Sequence, residues 1–257
     1  MYYYYKNYLE LKAMMMYKSN FILTMFFDFI GMLISILFYK LIYQNVDLSE
    51  FIPIWQVMML IAIVKSVNDL YALFFSSNIS SIPDRICYGS LDNILIKPIN
   101  LYFNLIVSTL NLKVIFNLIT DLVLFIVIIK TYSISFTYVT LTNLLILIAL
   151  AVLVKASCML MIAIGAFHFI KVGAFTSLFS SFFDLSIYPA VIYKNYYIIW
   201  FLTYIIPVLI IGNAPLKGFI EFDLRSTLGV FLLTICFASV SALLLIKNIK
   251  YYKSASS

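Results

Sequence analysis

Ionisable side chains inside long apolar runs have the clearest chemical potential in this sequence. Lys65 and Asp69 are four residues apart, so on a helix they share one face and can pair. If the runs cross a bilayer, such charges are costly and often mark an ion or proton path, as in secondary transporters. We favour internal pairing, with Asp28 or Asp121 as the partner of Lys65. Lys155 and Asp184 lie close enough to predicted run ends to snorkel.

The motifs of nucleotide and metal chemistry are absent from the sequence. No G-x-x-x-x-G-K-[ST] occurs among its seven glycines, so the chain has no P-loop with which to cradle ATP phosphates. There is no H-E-x-x-H, and the single His168 cannot make a two-histidine metal site. We therefore expect no catalytic residue, no metal and no cofactor bound by this chain, and any ATP must be used by another polypeptide.

Composition assigns the chain to the polytopic membrane proteins. Of its 257 residues, 64% are hydrophobic and 11% are charged, whereas soluble domains carry about 25% charge and disordered chains are poor in apolar residues. The net charge of +6 is typical of lysines at a cytoplasmic membrane face rather than of nucleic-acid binding. We expect a multi-pass protein of a bacterial cytoplasmic membrane, in contact with the lipid bilayer and with no nucleic acid.

Apolar runs of about 20 residues, enough to cross the hydrocarbon core, predict six transmembrane helices. Both chain ends carry lysines and are therefore predicted to be cytoplasmic, which requires an even number of crossings. The shorter run Ile198–Ile211 would make seven, so it is predicted to be re-entrant. The six runs are Phe21–Tyr43, Phe51–Phe75, Leu101–Ile129, Val139–Phe167, Lys171–Ile187 and Thr227–Ile246.

The predicted fold is an all-α membrane protein with a single domain over residues 1–257. Residues 1–20 mix tyrosine and methionine with lysine, which favours a helix lying in the interfacial layer. Residues 188–225 are predicted to form an outer re-entrant hairpin before the last span, with breaks at Pro189 and Pro207. No internal repeat and no linker rich in Pro, Gly and Ser divides the chain.

The polar stretch 76–100 reads SSNISSIPDRICYGSLDNILIKPIN and lies between the second and third predicted spans. Pro83 suits the first turn of a short helix, Gly89 allows a sharp turn, and Asp92 can cap a second short helix. Pro98 marks a break after it. Alternation from the cytoplasmic N-terminus places this loop on the cytoplasmic surface.

This loop resembles the inner-loop motif of ABC-2 type transporter permeases, and it is most similar to the branch described as uncharacterised ABC export permeases. The pattern there is roughly I-x-x-G-x-L-D-x-x-L-x-[KR]-P. Six spans with both ends inside, and a re-entrant outer hairpin before the last span, also match the family. The matching residues are Ile86, Gly89, Leu91, Asp92 and Pro98, preceded by Asp84 and Arg85.

The resemblance implies the membrane subunit of an ATP-driven exporter. In this family the inner loop docks on a separate ATP-binding subunit, whose closure drives the permease between inward and outward states. Asp84 and Arg85 would contact that subunit electrostatically, and a second permease copy or a related permease would complete the route. We expect an amphipathic cargo: a peptide, a lipid-like compound or a drug. The alternative is an ion-gradient-driven secondary transporter or channel that uses intramembrane acids.

Overall fold

The computed structural model describes Lys12 and residues 18–45, 52–96, 101–169 and 172–252. Every regular element in these ranges is helical, which confirms the predicted all-α class. Pro98 and most of the predicted interfacial helix at residues 1–20 lie outside the described residues, as does the side chain of Asp28. The α-helices are α1 (Lys18–Asn45), α2 (Ile54–Tyr71), α3 (Ser77–Ser80), α4 (Ile82–Cys87), α5 (Asp92–Leu95), α6 (Leu101–Ile106), α7 (Ile115–Thr131), α8 (Tyr138–Ile164), α9 (Gly173–Asp184), α10 (Tyr196–Tyr204), α11 (Val208–Ile220) and α12 (Leu224–Asn248).

Four continuous helical segments within the described ranges are long and apolar enough to cross a membrane. A fifth is present if α10 and α11, which are bent by 96° at a short break, count as one span. Helix α1 has 28 residues and contains the apolar stretch Phe29–Phe38. The six-span count stays a prediction. The four segments are Ile54–Cys87, Leu112–Thr131, Tyr138–Phe167 and Leu224–Tyr251.

Two predicted spans differ from the helices observed. The run predicted to begin at Leu101 is divided, because α6 ends at Ile106 and a spanning helix starts only at Leu112. The run Lys171–Ile187 corresponds to α9, whose 12 residues extend about 18 Å at 1.5 Å per residue. Since the hydrocarbon core is about 30 Å thick, α9 alone is too short to cross it.

Helix α8 lies at the centre of the bundle, where it packs against α2, α11 and α12. The bent pair is part of this core, since Ile210 and Ile211 of α11 are fully buried. Gly212 makes the close approach of α11 to α2 possible. A Cβ atom there would lie 2.6 Å from Val64 Cγ2 and 2.8 Å from the Ser186 carbonyl oxygen.

Different helices and loops meet at the two ends of the bundle. At one end α4 packs against the 3-10 turn Gly165–Phe167 that follows α8. The Phe167 ring meets Tyr252 edge-on there, with centroids 6.5 Å apart, so the C-terminal end of α12 lies at this end too. At the opposite end the Asn143 side-chain amide donates to the Gly218 carbonyl at 3.1 Å.

Candidate functional site

The segment that we call the elbow, residues 82–96, consists of α4, a tight turn and α5. Gly89 lies in the turn with φ 69°, a left-handed conformation that glycine adopts without the steric cost of a Cβ atom. The backbone N–H of Leu91 donates back to the Arg85 carbonyl at 3.2 Å, which closes the turn. The sequence therefore uses glycine where the backbone requires it.

Two apolar side chains hold the elbow against the bundle. Ile82 and Leu91 are both 0% exposed, and Ile86 is partly buried against the same core. Burying each large aliphatic side chain contributes about 1.5–3 kcal/mol. Leu91 was predicted to belong to the coupling motif. Its side chain faces the interior of this chain, so within that motif Leu91 anchors the elbow to the bundle.

The exposed side chains of the elbow are mostly polar, and the apolar exceptions are Tyr88 in the turn and Leu95 and Ile96 at its end. Asp84, Cys87 and Ser90 are exposed, and Arg85 and Asp92 are partly exposed. Tyr88 is 81% exposed and is the large side chain at the tip of the turn. Tyr88 was absent from the sequence-predicted partner contacts. The signal that could have found it is an aromatic residue directly before the turn glycine, where burial is sterically difficult.

The elbow lies beside the C-terminal end of α12. Burial, together with the nearby Asp92 carboxylate, raises the pKa of the Tyr252 phenol, although its hydroxyl has no hydrogen-bond partner among the described residues. Nearby, the His168 ring hydrogen-bonds the side chain of Asn248, and the Asn248 amide donates to the Leu244 carbonyl at 2.8 Å. His168 thus joins the ends of α8 and α12.

The predicted charge candidates on α2 and α7 meet inside the bundle. The Lys65 ammonium lies 3.1 Å from Asp69 Oδ2 and 3.2 Å from Asp121 Oδ1, so the predicted partnership of Lys65 with Asp121 is present. Asp121 is 2% exposed, and its Oδ2 atom has no hydrogen-bond partner among the described residues. The Lys65 ammonium is therefore the shared ion-pair partner of two carboxylates.

Lys155 differs from its prediction. It is 5% exposed and does not snorkel. Its ammonium donates to Asn68 Oδ1 at 2.7 Å and lies 5.1 Å from the ring centroid of Tyr71 and 5.5 Å from that of Phe183. These contacts link α8 to α2 and α9 by an amide hydrogen bond and two cation–π interactions. Asp184, by contrast, is exposed.

The break between α10 and α11 lies at Pro207, the residue immediately before α11. Pro189 precedes a short 3-10 turn, Ala190–Ile192. The Asn213 side chain connects the two regions, because its oxygen accepts from the Ala190 N–H at 2.7 Å and its amide donates to the Tyr188 carbonyl at 3.2 Å. Both predicted prolines therefore stand where helices are interrupted.

The fold and these polar contacts define a multi-pass helical membrane protein whose internal charges pair between helices. The family model described as "ABC-2 family transporter protein" matches residues 29–256. The match covers most of the chain, so this protein belongs to the ABC-2 transporter family and is the membrane component of an ABC transporter. Members of this family are generally not catalytic themselves and work with an ABC ATP-binding subunit. No curated protein and no solved structure matches the chain.

Proposed function

We propose that this chain is the permease subunit of an ATP-driven exporter and that the elbow is the surface on which its ATP-binding subunit docks. The observation that carries the proposal is the combination of a buried and an exposed side in one short segment. Ile82 and Leu91 fix the elbow to the bundle, while Tyr88 and Asp84 face outward. A segment of this kind can bind a partner on its exposed side and transmit the partner's movement to the helices against which its buried side packs.

The charge distribution supports a cytoplasmic elbow. Lys247 lies in the last turn of α12 and Lys250 in the 3-10 turn that follows, at the end of the bundle where the elbow packs. Positive residues collect at the cytoplasmic ends of membrane helices. The proposal therefore places the elbow and both termini in the cytoplasm of a bacterium, and the α10–α11 bend within the membrane part of the protein.

An apolar cavity supports an amphipathic cargo such as a peptide, a lipid-like compound or a drug. It has a volume of about 260 Å³ and lies between α8, α9, α12 and the break before α11. Phe179, Phe183 and Phe237 are among its lining residues, which suits an aliphatic or aromatic group. In the proposal a second permease copy, or a related permease, completes the route, and the ATP is bound by the partner subunit.

The first test is co-purification of an ATP-binding subunit with the wild-type chain, followed by two elbow variants. Gly89→Val strains the left-handed turn, and Asp92→Lys reverses the charge beside Tyr252. Both variants are expected to insert in the membrane and to lose coupling between ATP hydrolysis and export. Gly229→Val, at a position with no neighbouring atom within 4 Å of an added Cβ, is the matched control. Normal coupling in both elbow variants would refute the proposal.

The ion-gradient alternative makes the opposite prediction about the buried acids. It requires Asp121 for transport and needs no ATP-binding subunit. The contact of Lys65 with Asp121 supports a structural pairing between α2 and α7 instead. If Asp121→Leu abolishes transport at unchanged stability, and transport by the purified chain follows an imposed proton gradient without ATP, the alternative is correct.

A further inference from the structure

The chain enters the elbow through a π-helical turn and leaves it through a non-helical stretch at the same level. On the way in, α2 is followed by a π-helical turn, Ala72–Ser76. On the way out, residues 107–111 are non-helical between α6 and the 3-10 turn Leu112–Val114. The Asn111 N–H donates to the Leu73 carbonyl at 2.9 Å, so the two interruptions are in direct contact. Single π-turns inside α-helices often occur at functional sites.

Asn78 joins these two segments. Its side-chain amide donates to the Thr109 carbonyl at 2.8 Å and to the Phe74 carbonyl at 3.3 Å. Its oxygen accepts from the Ser108 hydroxyl at 2.9 Å, the Thr109 N–H at 3.1 Å and the Thr109 hydroxyl at 2.6 Å. Asn78 is 0% exposed. We call residues 72–78 together with 107–111 the neck.

The neck lies where the second span should leave the hydrocarbon core. Helix α2 has 18 residues and extends about 27 Å, close to the core thickness of about 30 Å. The neck also directly follows the part of α2 that carries the partly buried Lys65 and Asp69. Asn68 accepts from Lys155 and Asp69 pairs with Lys65. A displacement at the neck is thus one helical turn from the polar contacts that bind α2 to α7 and α8.

We propose that Asn78 is a positioning residue that holds the two segments of the neck together, so that the elbow and the adjoining ends of α2 and α7 move as one rigid body. The inference rests on the proposed docking of an ATP-binding subunit at the elbow. Sharp helix kinks occur at π-turns and where the regular backbone hydrogen bonds are broken, and each segment of the neck has one of these features. Without Asn78 the two segments of the neck bend independently, and a displacement of the elbow by the ATP-binding subunit does not move α2 and α7.

The first test needs the permease alone. Spin labels on the exposed native cysteines Cys87 and Cys236, with the buried thiol removed by Cys158→Ala, report the distance between elbow and α12. Asn78→Leu is expected to broaden this distance distribution, and the milder Ser108→Ala to broaden it less. Asn93→Leu, at an exposed asparagine of the elbow, is the matched control and should leave it narrow. Equal distributions in all variants would overturn the proposal.

The second test uses the complex with its ATP-binding subunit and a disulfide across the neck. The hydroxyls of Ser77 and Thr109 are 3.5 Å apart, so Ser77→Cys and Thr109→Cys are positioned to be oxidised to a disulfide. Labels at Leu122→Cys on α7 and at Cys236 report helix movement, with Cys87→Ser and Cys158→Ala in the background. A non-hydrolysable ATP analogue should shift the distance between these two labels, and Asn78→Leu should abolish the shift. In the Asn78→Leu background the oxidised disulfide should restore the shift, and reductant should abolish it again.

The outcomes separate the two proposals. If no ATP-binding subunit binds the wild-type chain, the proposed function fails, while the first test still judges Asn78. If the subunit binds but the oxidised disulfide fails to restore the shift, or blocks it when Asn78 is intact, the neck does not move as one piece and the inference is wrong. An absent shift in the wild-type complex would also overturn it.

Discussion

Lys65 offers the sharpest test of the buried ion pairs, because it is the shared partner of two acids. Among the described residues, Lys65→Met removes the one positive charge within 4 Å of both Asp69 and Asp121. Breaking a buried pair by removing one partner costs about 3–5 kcal/mol, since the remaining charge is left uncompensated. Because Asp121 is 2% exposed, we expect a loss in this range in the free energy of unfolding.

Removing the acid should have a much smaller effect. Asp121→Leu leaves the Lys65–Asp69 pair at 3.1 Å intact and replaces a carboxylate whose Oδ2 atom has no hydrogen-bond partner among the described residues. Because Lys65 keeps Asp69 as its partner, Asp121→Leu leaves no uncompensated buried charge, and the expected loss is well below that of Lys65→Met. The double variant should recover about 0.5–3 kcal/mol of the Lys65→Met loss, the usual size of coupling between residues in contact.

The assay is unfolding of the purified protein from neutral detergent micelles by titration with sodium dodecyl sulfate, followed by helical circular dichroism. Lys40→Met, at an exposed lysine of α1, is the matched control and should change stability little. Equal losses from Lys65→Met and Asp121→Leu, or an additive double variant, would show that Lys65 does not serve as the shared counter-charge.

Three further predictions test the packing and the caps. Gly212→Ala should destabilise the protein by about 1–3 kcal/mol because its methyl group overpacks the contact of α11 with α2, whereas Gly229→Ala in open space should stabilise α12 slightly; equal effects in detergent unfolding would contradict the close approach. Leu91→Ala should cost about 2–5 kcal/mol as a buried truncation and expose the elbow to protease, while Tyr88→Ala should leave stability unchanged; the reverse order would contradict the assigned sides of the elbow. Hydrogen bonds from the Arg225 and Ser226 backbone lower the pKa of Asp223. The stabilisation of α12 by this cap is therefore present above the ordinary aspartate pKa of about 3.9 and is lost as the pH falls through the lowered pKa. In Asp223→Asn, amide protection from hydrogen exchange at the start of α12 should no longer decrease with acid, and an unchanged pH profile would exclude the cap.

Local signals in the sequence were enough to place the elbow turn. Gly89 lies within the polar stretch 76–100 and adopts the left-handed conformation that a turn glycine is expected to supply. The pairing of Lys65 with Asp69 was also predictable, because four-residue spacing on a helix fixes it without reference to the rest of the fold. Its pairing with Asp121 required only that α2 and α7 be neighbours.

Features that depend on distant residues were not predictable. The non-helical break at Ser108 and Thr109 interrupts an apolar run that resembles a span, and it is stable because Asn78, about thirty residues earlier, satisfies its polar groups. Lys155 was expected to snorkel because it lies near a predicted span end. The partners that keep it buried, Asn68 and the rings of Tyr71 and Phe183, come from two other helices.

The central claim, that the elbow receives force from an ATP-binding subunit in the cytoplasm, is tested most directly by labelling native Cys87. This thiol is exposed on the elbow, so a membrane-impermeant maleimide should label it in inverted vesicles and not in intact cells, with Cys87→Ser as the blank. Added ATP-binding subunit should protect it from the reagent. Labelling of Cys87 from outside intact cells, or no protection by a subunit that binds the permease, would contradict the account.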